Sequence, residues 1–291
     1  MKYLYFPGCS LKSSGKAYEE SVLAVFAKLG VELPELPGWN CCGATYYMGV
    51  DEVKGLALAA RNLCLAEQVD GGETAQLVTP CSACYLAHTK AQHYMQTYGT
   101  VGTTVQKGLA AAGLHYEGRV NVRHPLDVLV NDIGLDRIKS LSTQPLKGLK
   151  VACYYGCQVV RPYDTFDDKR DPMTMDKILR AAGAETIDWP LKVRCCGASL
   201  TGTVAEAGQS LSQVILLEAV KRGADVIATA CSLCQFNLEC YQDQINHRFG
   251  KPVDIPVAYF TQILGRAMEI PDKQLGLQRL FVPMRPQTVS V

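Results

Sequence analysis

The sequence predicts an α/β protein made of two internally duplicated, Rossmann-like halves with parallel sheets, related by a pseudo-two-fold axis. Three observations lead there. First, the chain is written twice. KYLYFPGC to Cys9, LPELPGWNCCG to Gly43 and QLVTPCSAC to Cys84 return in the same order as KVACYYGC to Cys157, IDWPLKVRCCG to Gly197 and VIATACSLC to Cys234. Second, within each copy short apolar runs alternate with long helical patterns, which is the signature of strand–helix units feeding a parallel sheet. Third, the copies are a domain length apart, which suggests a duplicated domain rather than a solenoid. The halves are taken as 1–140 and 141–291, with 134–149 as the linker.

Each element has its own warrant. Residues 2–6 are an apolar run stopped by Pro7-Gly8, a strand ending in a turn. A helix follows over 14–29, with Val22, Val25, Phe26 and Leu29 on one face. Asp51 can cap a helix over 52–69. Residues 75–79 form the next strand, ended by Pro80, and a helix starts near Cys81. The second half repeats this with a strand at 149–155, helices at 173–183 and 204–222, a strand at 224–229 and a helix at 232–248. VNVRHPLDVLVNDIG (120–134) and IPVAYFTQILGRAM (255–268) each read as a short strand followed by a helix. The tail from 271 reads as irregular.

The composition excludes several classes. With 48% apolar and 20% charged residues, the chain is an ordinary soluble protein, and its 291 residues can bury a core without disulfide staples. A net charge of +1 and no long basic run argue against nucleic acid as a partner. No apolar run is long enough to span a membrane, and MKYLYFPGCS is too short in apolar residues for a signal peptide. The chain therefore reads as cytoplasmic, where thirteen cysteines imply metal or redox chemistry rather than disulfides.

Ten of these cysteines fall into two equivalent sets: Cys9, Cys41, Cys42, Cys81 and Cys84, and Cys157, Cys195, Cys196, Cys231 and Cys234. They follow strand ends or occupy turns, and the carboxyl ends of parallel strands are where α/β proteins bind ligands. Cys81 and Cys84, like Cys231 and Cys234, are three apart at a helix start, so they face one way and the helix dipole favours their thiolates. Adjacent cysteines point to opposite sides of an extended chain. Gly43 and Gly197 permit the sharp turn that lets both reach one site. Five thiolates exceed what one zinc ion or one cubane cluster takes. Either one cysteine is a spectator or the cluster is not an ordinary cubane. Zinc at one of the two sites is the competing reading, and simple burial is the reading for Cys64 and Cys240. The second half offers two candidates for its first ligand, Cys153 and Cys157. Cys157 is chosen because Gly156-Cys157 aligns with Gly8-Cys9.

The segments YFPGC, NCCG, PCSAC, RHPLDVLVND, CYYGC, DPMTMDKIL, RCCGASLTG and ACSLC resemble the B subunit of heterodisulfide reductase of methanogenic archaea, a family with two CCG motifs, over essentially the whole chain. The resemblance implies two noncubane 4Fe–4S clusters, each held by one five-cysteine set. It implies cleavage of the coenzyme M–coenzyme B mixed disulfide between them, in methanogenesis. It also implies two partners from the same heterodisulfide reductase, its ferredoxin-like C subunit and its flavin-containing A subunit. Similar CCG subunits occur in lactate and glycolate oxidases and in quinone-linked dehydrogenases, which is the alternative. The chain has no C-x2-C-x2-C-x3-C-P run and no dinucleotide fingerprint, so its electrons have to come from a partner. Arg161, Lys192 and Arg194 are the basic candidates for anionic substrate groups. His124 reads as a structural cap, His88 and His93 as ordinary helix residues, and Trp39 and Trp189 as packing over the clusters. The two sets are expected to face one another across a cleft lined by 8–9, 41–43, 156–157 and 195–197.

Overall fold

The computed structural model describes residues 2–44, 46–144 and 146–284. The first half contains β1 (Leu4–Tyr5), α1 (Gly8–Leu11), α2 (Lys16–Lys28), α3 (Tyr46–Val50), α4 (Glu52–Asp70), β2 (Ala75–Val78), α5 (Ser82–Thr97), α6 (Gly99–Ala111), β3 (Val120–Arg123), α7 (Pro125–Asp127) and a π-helical stretch, Val128–Ile133. Then come α8 (Leu135–Leu141), β4 (Lys150–Tyr154), α9 (Thr174–Ala181), β5 (Glu185–Thr186), α10 (Ala198–Thr201), α11 (Ala205–Lys221), β6 (Val226–Thr229), α12 (Ser232–Glu239), α13 (Gln242–Phe249), β7 (Val257–Tyr259), α14 (Phe260–Ala267) and a 3-10 turn, Leu277–Arg279.

Both sheets are parallel, ordered β1-β2-β3 and β5-β4-β6-β7. β1, β2 and β3 correspond to β4, β6 and β7. Tyr5 is level with Val78, which is level with Arg123; Tyr154 is level with Thr229, which is level with Tyr259. The place of β5 is held in the first half by a single bridge between Tyr5 and Glu35. Local chemistry sets the boundaries. The Asp51 side chain accepts from the Lys54 N–H at 3.1 Å and starts α4, and Gly71, at φ 73°, ends it.

The halves are held together by an exchange. α2 of the first half packs on α14 of the second, where Tyr18 stacks on Tyr259 with centroids 4.3 Å apart and Ser21 bonds Thr261 at 2.6 Å. In return the segment after Cys157 crosses to the first half. Phe166 there stacks on His124 at 6.0 Å, and Thr165 bonds the Tyr85 hydroxyl. His124 and Tyr259 occupy equivalent places, each capping the helix after the third aligned strand. The two exchanges are therefore the two-fold counterparts of one another.

Two segments depart from expectation. The linker contains α8, because Leu135, Ile138 and Leu141 are spaced for one helical face and Ile138 is fully buried. The expected single helix over 232–248 is broken at Cys240–Tyr241. The bend brings Gln242 to the Ile255 carbonyl and Asn246 to both backbone groups of Val253, each at 2.8 Å apart from the longer return bond to Gln242.

α12 also carries Glu239, 2% exposed, which accepts from the Gln235 amide and from the Val282 N–H and so ties down the tail. Burial pushes its carboxyl up to about 8. The folded state thus keeps a proton that the unfolded state loses above the ordinary glutamate range, so this group's contribution falls as pH rises towards 8. Unfolding at pH 5, 6.5 and 8 is expected to show Glu239→Gln with a shallower loss of stability than the parent, the difference approaching about 1.4 kcal/mol per pH unit. Parallel curves would count against a buried, protonated Glu239.

Candidate metal centre

All thirteen cysteines carry free thiols. Ten of them gather where the strands end. β2 runs into Pro80, and Cys81 is the N-cap residue of α5 with Cys84 one turn in; Cys231 and Cys234 hold the same positions on α12. Cys9 lies in α1, just beyond β1. The CCG turns swing the paired cysteines beneath these helix starts.

The turns work through close approach. Gly43 and Gly197 have φ of +76° and +85°, and a Cβ on Gly197 would lie 2.7 Å from the Gly208 carbonyl oxygen in α11. Gly8 and Gly156, at φ +69° and +72°, face the thiols: a Cβ there would sit 2.9 Å from Cys84 Sγ or 3.0 Å from Cys234 Sγ. Phe6 and Tyr154 occupy equivalent places above these glycines, each against a tryptophan, Trp39 at 5.5 Å and Trp189 at 6.2 Å. The tryptophans pack on the strand-end aromatic ring. Their N–H groups go to Glu35 and to the Cys153 carbonyl, not to the thiols.

The thiols form a line. Cys9 meets Cys41, Cys41 meets Cys42, and Cys42 meets Cys84 at 3.2 Å. Cys84 meets Cys81, and Cys81 meets Cys231 of the other half. Cys231 continues to Cys234, and Cys234 to Cys196 at 3.6 Å, while Cys157 pairs with Cys195. Among the described residues, no three Cys, His, Asp or Glu side chains close around one point as a single-ion site would require. The six cysteines at the second CCG position and in the CxxC motifs are buried, whereas Cys9 and Cys195 are exposed and Cys41 and Cys157 half-buried. The centre is thus closed, and the more exposed thiols are Cys9 and Cys41 at one end and the Cys157–Cys195 pair near the other. The expected cleft between the halves is filled at the axis, where Cys81 comes close to Cys231, the Ser232 hydroxyl donates to Cys81 Sγ at 3.3 Å and the Ser82 hydroxyl donates to the Ala230 carbonyl at 2.9 Å.

Protons are shared along the line in the same sense at both ends. The Cys9 thiol is pushed up by its hydrogen bond to Cys41, and Cys157 by its bond to Cys195. Cys41 is pulled down, first by Cys42 and then by Cys9. Cys195 is pulled down to about 6 by Cys157, the Gly197 N–H and the Arg194 charge. Cys153 stays apart, fully buried in β4 beside Asp176 and Lys192, and burial raises its thiol. The structure therefore groups Cys157, not Cys153, with the second set. Cys64 and Cys240 also lie outside both sets.

Of the basic candidates, Lys192 is committed internally. Its Nζ is 3.0 Å from Asp171, 3.5 Å from Asp176 and 3.1 Å from the Pro172 carbonyl. Arg161 donates to the Lys169 carbonyl. Arg194 is exposed next to Cys195. His124 is a cap, as expected: its Nδ1 accepts from Leu126 N–H and its Nε2 donates to the Pro80 carbonyl at 3.0 Å. His88 is fully buried edge-on to Phe6, and burial lowers it to about 3, so it stays neutral. Sequence reasoning missed Ser232, whose hydroxyl donates to Cys81 Sγ at 3.3 Å, because nothing local marks a serine as meeting a thiol 151 residues away.

The family model of the CCG cysteine-rich domain matches residues 3–87 and again 151–239, and the two segments contain all ten gathered cysteines. The chain belongs to the CCG cysteine-rich domain family. Among curated relatives, it is 32% identical to the 8-methylmenaquinol:fumarate reductase membrane anchor subunit of Wolinella succinogenes, over 95% of both chains. It is 30% identical to the B subunit of the ferredoxin/F420H2-dependent CoB–CoM heterodisulfide reductase of Methanosarcina acetivorans, over 96% of this chain and 93% of that one. A protein of Archaeoglobus profundus, described as like the B subunit of heterodisulfide reductase, is 33% identical, over 95% and 94%. A hypothetical protein from Helicobacter pylori has the same fold, with a TM-score of 0.72 at 15% identity over 98% of this chain. The CCG chain spans 52% of that longer one. No helix among the described residues is long and apolar enough to cross a membrane.

The CCG glycine can be tested against a glycine that has the same backbone but no neighbour. Gly223 has φ +75° with nothing within 4 Å of where a methyl group would stand, whereas Gly197 meets Gly208. Gly223→Ala is expected to cost about 1 kcal/mol for its positive φ, and Gly197→Ala roughly 2 kcal/mol or more. Denaturant midpoints measure both. Equal losses would mean that the close approach of α11 is not what demands Gly197.

Proposed function

We propose that this CCG protein is the catalytic iron–sulfur subunit of a multi-subunit disulfide reductase, with its substrate the class named for its archaeal relatives, a mixed disulfide such as that of coenzymes B and M. The observation that carries this reading is the run of thiols from Cys9 through the axis to Cys196, with the more exposed Cys157–Cys195 pair beside its far end. Reducing one disulfide takes two electrons and two protons and releases two thiols. Two linked redox sites in one chain meet that count.

The donor set fits iron–sulfur clusters. Each set supplies five soft thiols, three of them buried, and Gly8 and Gly156 leave open the space that a Cβ would take from Cys84 and Cys234. Cys9, Cys41, Cys42, Cys81 and Cys84 would hold one cluster, of noncubane 4Fe–4S type, and Cys157, Cys195, Cys196, Cys231 and Cys234 the other. When bound, such clusters supply single electrons at low potential. The chain does the rest. Hydrogen bonds from Cys231 and Cys84 hold Cys81, at its helix start, towards thiolate, and the Gly197 N–H, 3.4 Å from Cys195 Sγ, adds a donor at the exposed end. Arg194 presents a guanidinium beside that end, suited to a carboxylate, sulfonate or phosphate on the disulfide. Electrons would come from a ferredoxin-like partner of the C type, fed in turn by a flavin-containing partner of the A type.

A second reading has its own support: the fumarate reductase relative is as similar as the archaeal proteins, at 32% identity. On that reading the two sites relay electrons in a quinone-linked complex. The experiments separate the readings. Anaerobically purified protein is expected to contain iron and acid-labile sulfide, with iron falling by about half in Cys41→Ser and again in Cys195→Ser. Zinc in place of iron would end the proposal. With a reduced viologen dye as one-electron donor, the heterodisulfide should yield two thiols per two electrons. Iron-loaded protein that leaves the disulfide intact would favour the quinone-linked relay.

A further inference from the structure

The ten gathered cysteines repeat with near-identical spacing, yet their surroundings at the pseudo-two-fold axis are not the same. Ser82 and Ser232 are equivalent residues, each first in the helix that follows its CxxC cap. Ser82 gives its proton to a carbonyl, that of Ala230, at 2.9 Å. The counterpart of Ala230 is Pro80, whose carbonyl accepts from His124 Nε2 at 3.0 Å, while the Ala230 carbonyl accepts from the Tyr18 hydroxyl at 3.4 Å as well as from Ser82. Ser232 turns instead to sulfur and donates to Cys81 Sγ at 3.3 Å across the interface. Tyr259, which stands where His124 stands in the other half, sends its hydroxyl to Gln235 Oε1 at 3.3 Å. The two halves thus differ here in their hydrogen bonds, with a histidine in one place and a tyrosine in the other.

Ser232 is also held in place. It is 2% exposed, and a Cβ on Gly15 would come within 2.9 Å of its own Cβ. Gly15 precedes α2, the helix that the first half lends to the second, so the exchanged packing sets how near the hydroxyl comes to the thiol.

We propose that Ser232, a residue of the second half, sets the reduction potential of the site in the first half. A hydrogen bond donated to a ligating sulfur draws electron density from it and favours the reduced state. The first set receives this donor from Ser232. Ser82 provides no equivalent to Cys231. The two sites therefore differ in potential although their cysteines repeat, and the Ser232 bond shifts the first site to the more positive side. Ser232 touches neither substrate nor reacting atoms and is a positioning residue for electron density. The inference rests on the iron–sulfur reading above and adds to it a residue and a direction.

The experiment is a spectroelectrochemical titration of anaerobically purified protein, followed by electron paramagnetic resonance and visible absorption. The Cys195→Ser background isolates the first site. In that background Ser232→Ala is expected to move the midpoint to more negative potential, with iron and sulfide content unchanged. Ser82→Ala, which loses an interface bond of the same kind, is expected to leave it in place. In the Cys41→Ser background, which retains the second site, neither variant should shift the midpoint. Iron-loaded protein whose first-site midpoint ignores Ser232→Ala would overturn the inference alone, as would an equal shift with Ser82→Ala. Parent protein without iron would overturn the cluster reading and the inference with it. Should Ser232→Ala lose iron, Gly15→Ala offers the second route: it keeps the serine hydroxyl but displaces it from Cys81, and an unmoved midpoint there would also overturn the inference.

Discussion

The contact of Cys81 with Cys231 forms only because each half gives its first connecting segment to the other. A thiol at a helix start is ordinarily at the rim of its own sheet. Here α2 lies on α14, with Tyr18 on Tyr259, while the segment after Cys157 lies on α5, with Phe166 on His124. Tyr18, Tyr259 and His124 are buried and Phe166 is half-buried, and the apolar area of these pairs helps keep two thiol-bearing helix ends together. Were the halves to separate, the line of thiols would break at its middle and leave two unconnected sets.

Within each half the tolerances come from glycine. The backbone of the CCG turn runs against the first turns of the next helix, and the strand-end glycine runs against the CxxC thiol. Both contacts demand a missing side chain and a left-handed backbone, which no other residue supplies cheaply. The result is a dense centre in which sulfurs approach to 3.2 Å and 3.6 Å among buried polar side chains such as Ser82, Ser232 and His124. Its outer ends are wet.

Duplication does not make the halves chemically equal. Phe6 is Tyr154 in the second copy, His124 is Tyr259, and α1 with the turn before α2 is replaced by the longer irregular chain over 156–173 before α9. Each change alters what hydrogen bonds are available near a thiol without touching a cysteine. A repeat in sequence therefore constrains ligand type more strongly than it constrains electronic environment.

Much of this was legible in the amino-acid sequence itself. Strands ended by Pro7 and Pro80, Asp51 as a helix cap, the CxxC pairs at helix starts and the glycine turns all follow from local preferences, which act over a few residues. The ten cysteines that meet in space are the ten that repeat in order. Tertiary structure decided the rest. It placed Cys153 in the core at β4 and Cys157 past the strand end beside Cys195, a difference of a few residues in register. It bent the helix at Cys240 so that Gln242 and Asn246 could satisfy buried backbone groups. It also brought Ser232 to Cys81, because a contact between residues 151 positions apart depends on how two separately folded sheets dock, and no local propensity encodes that geometry.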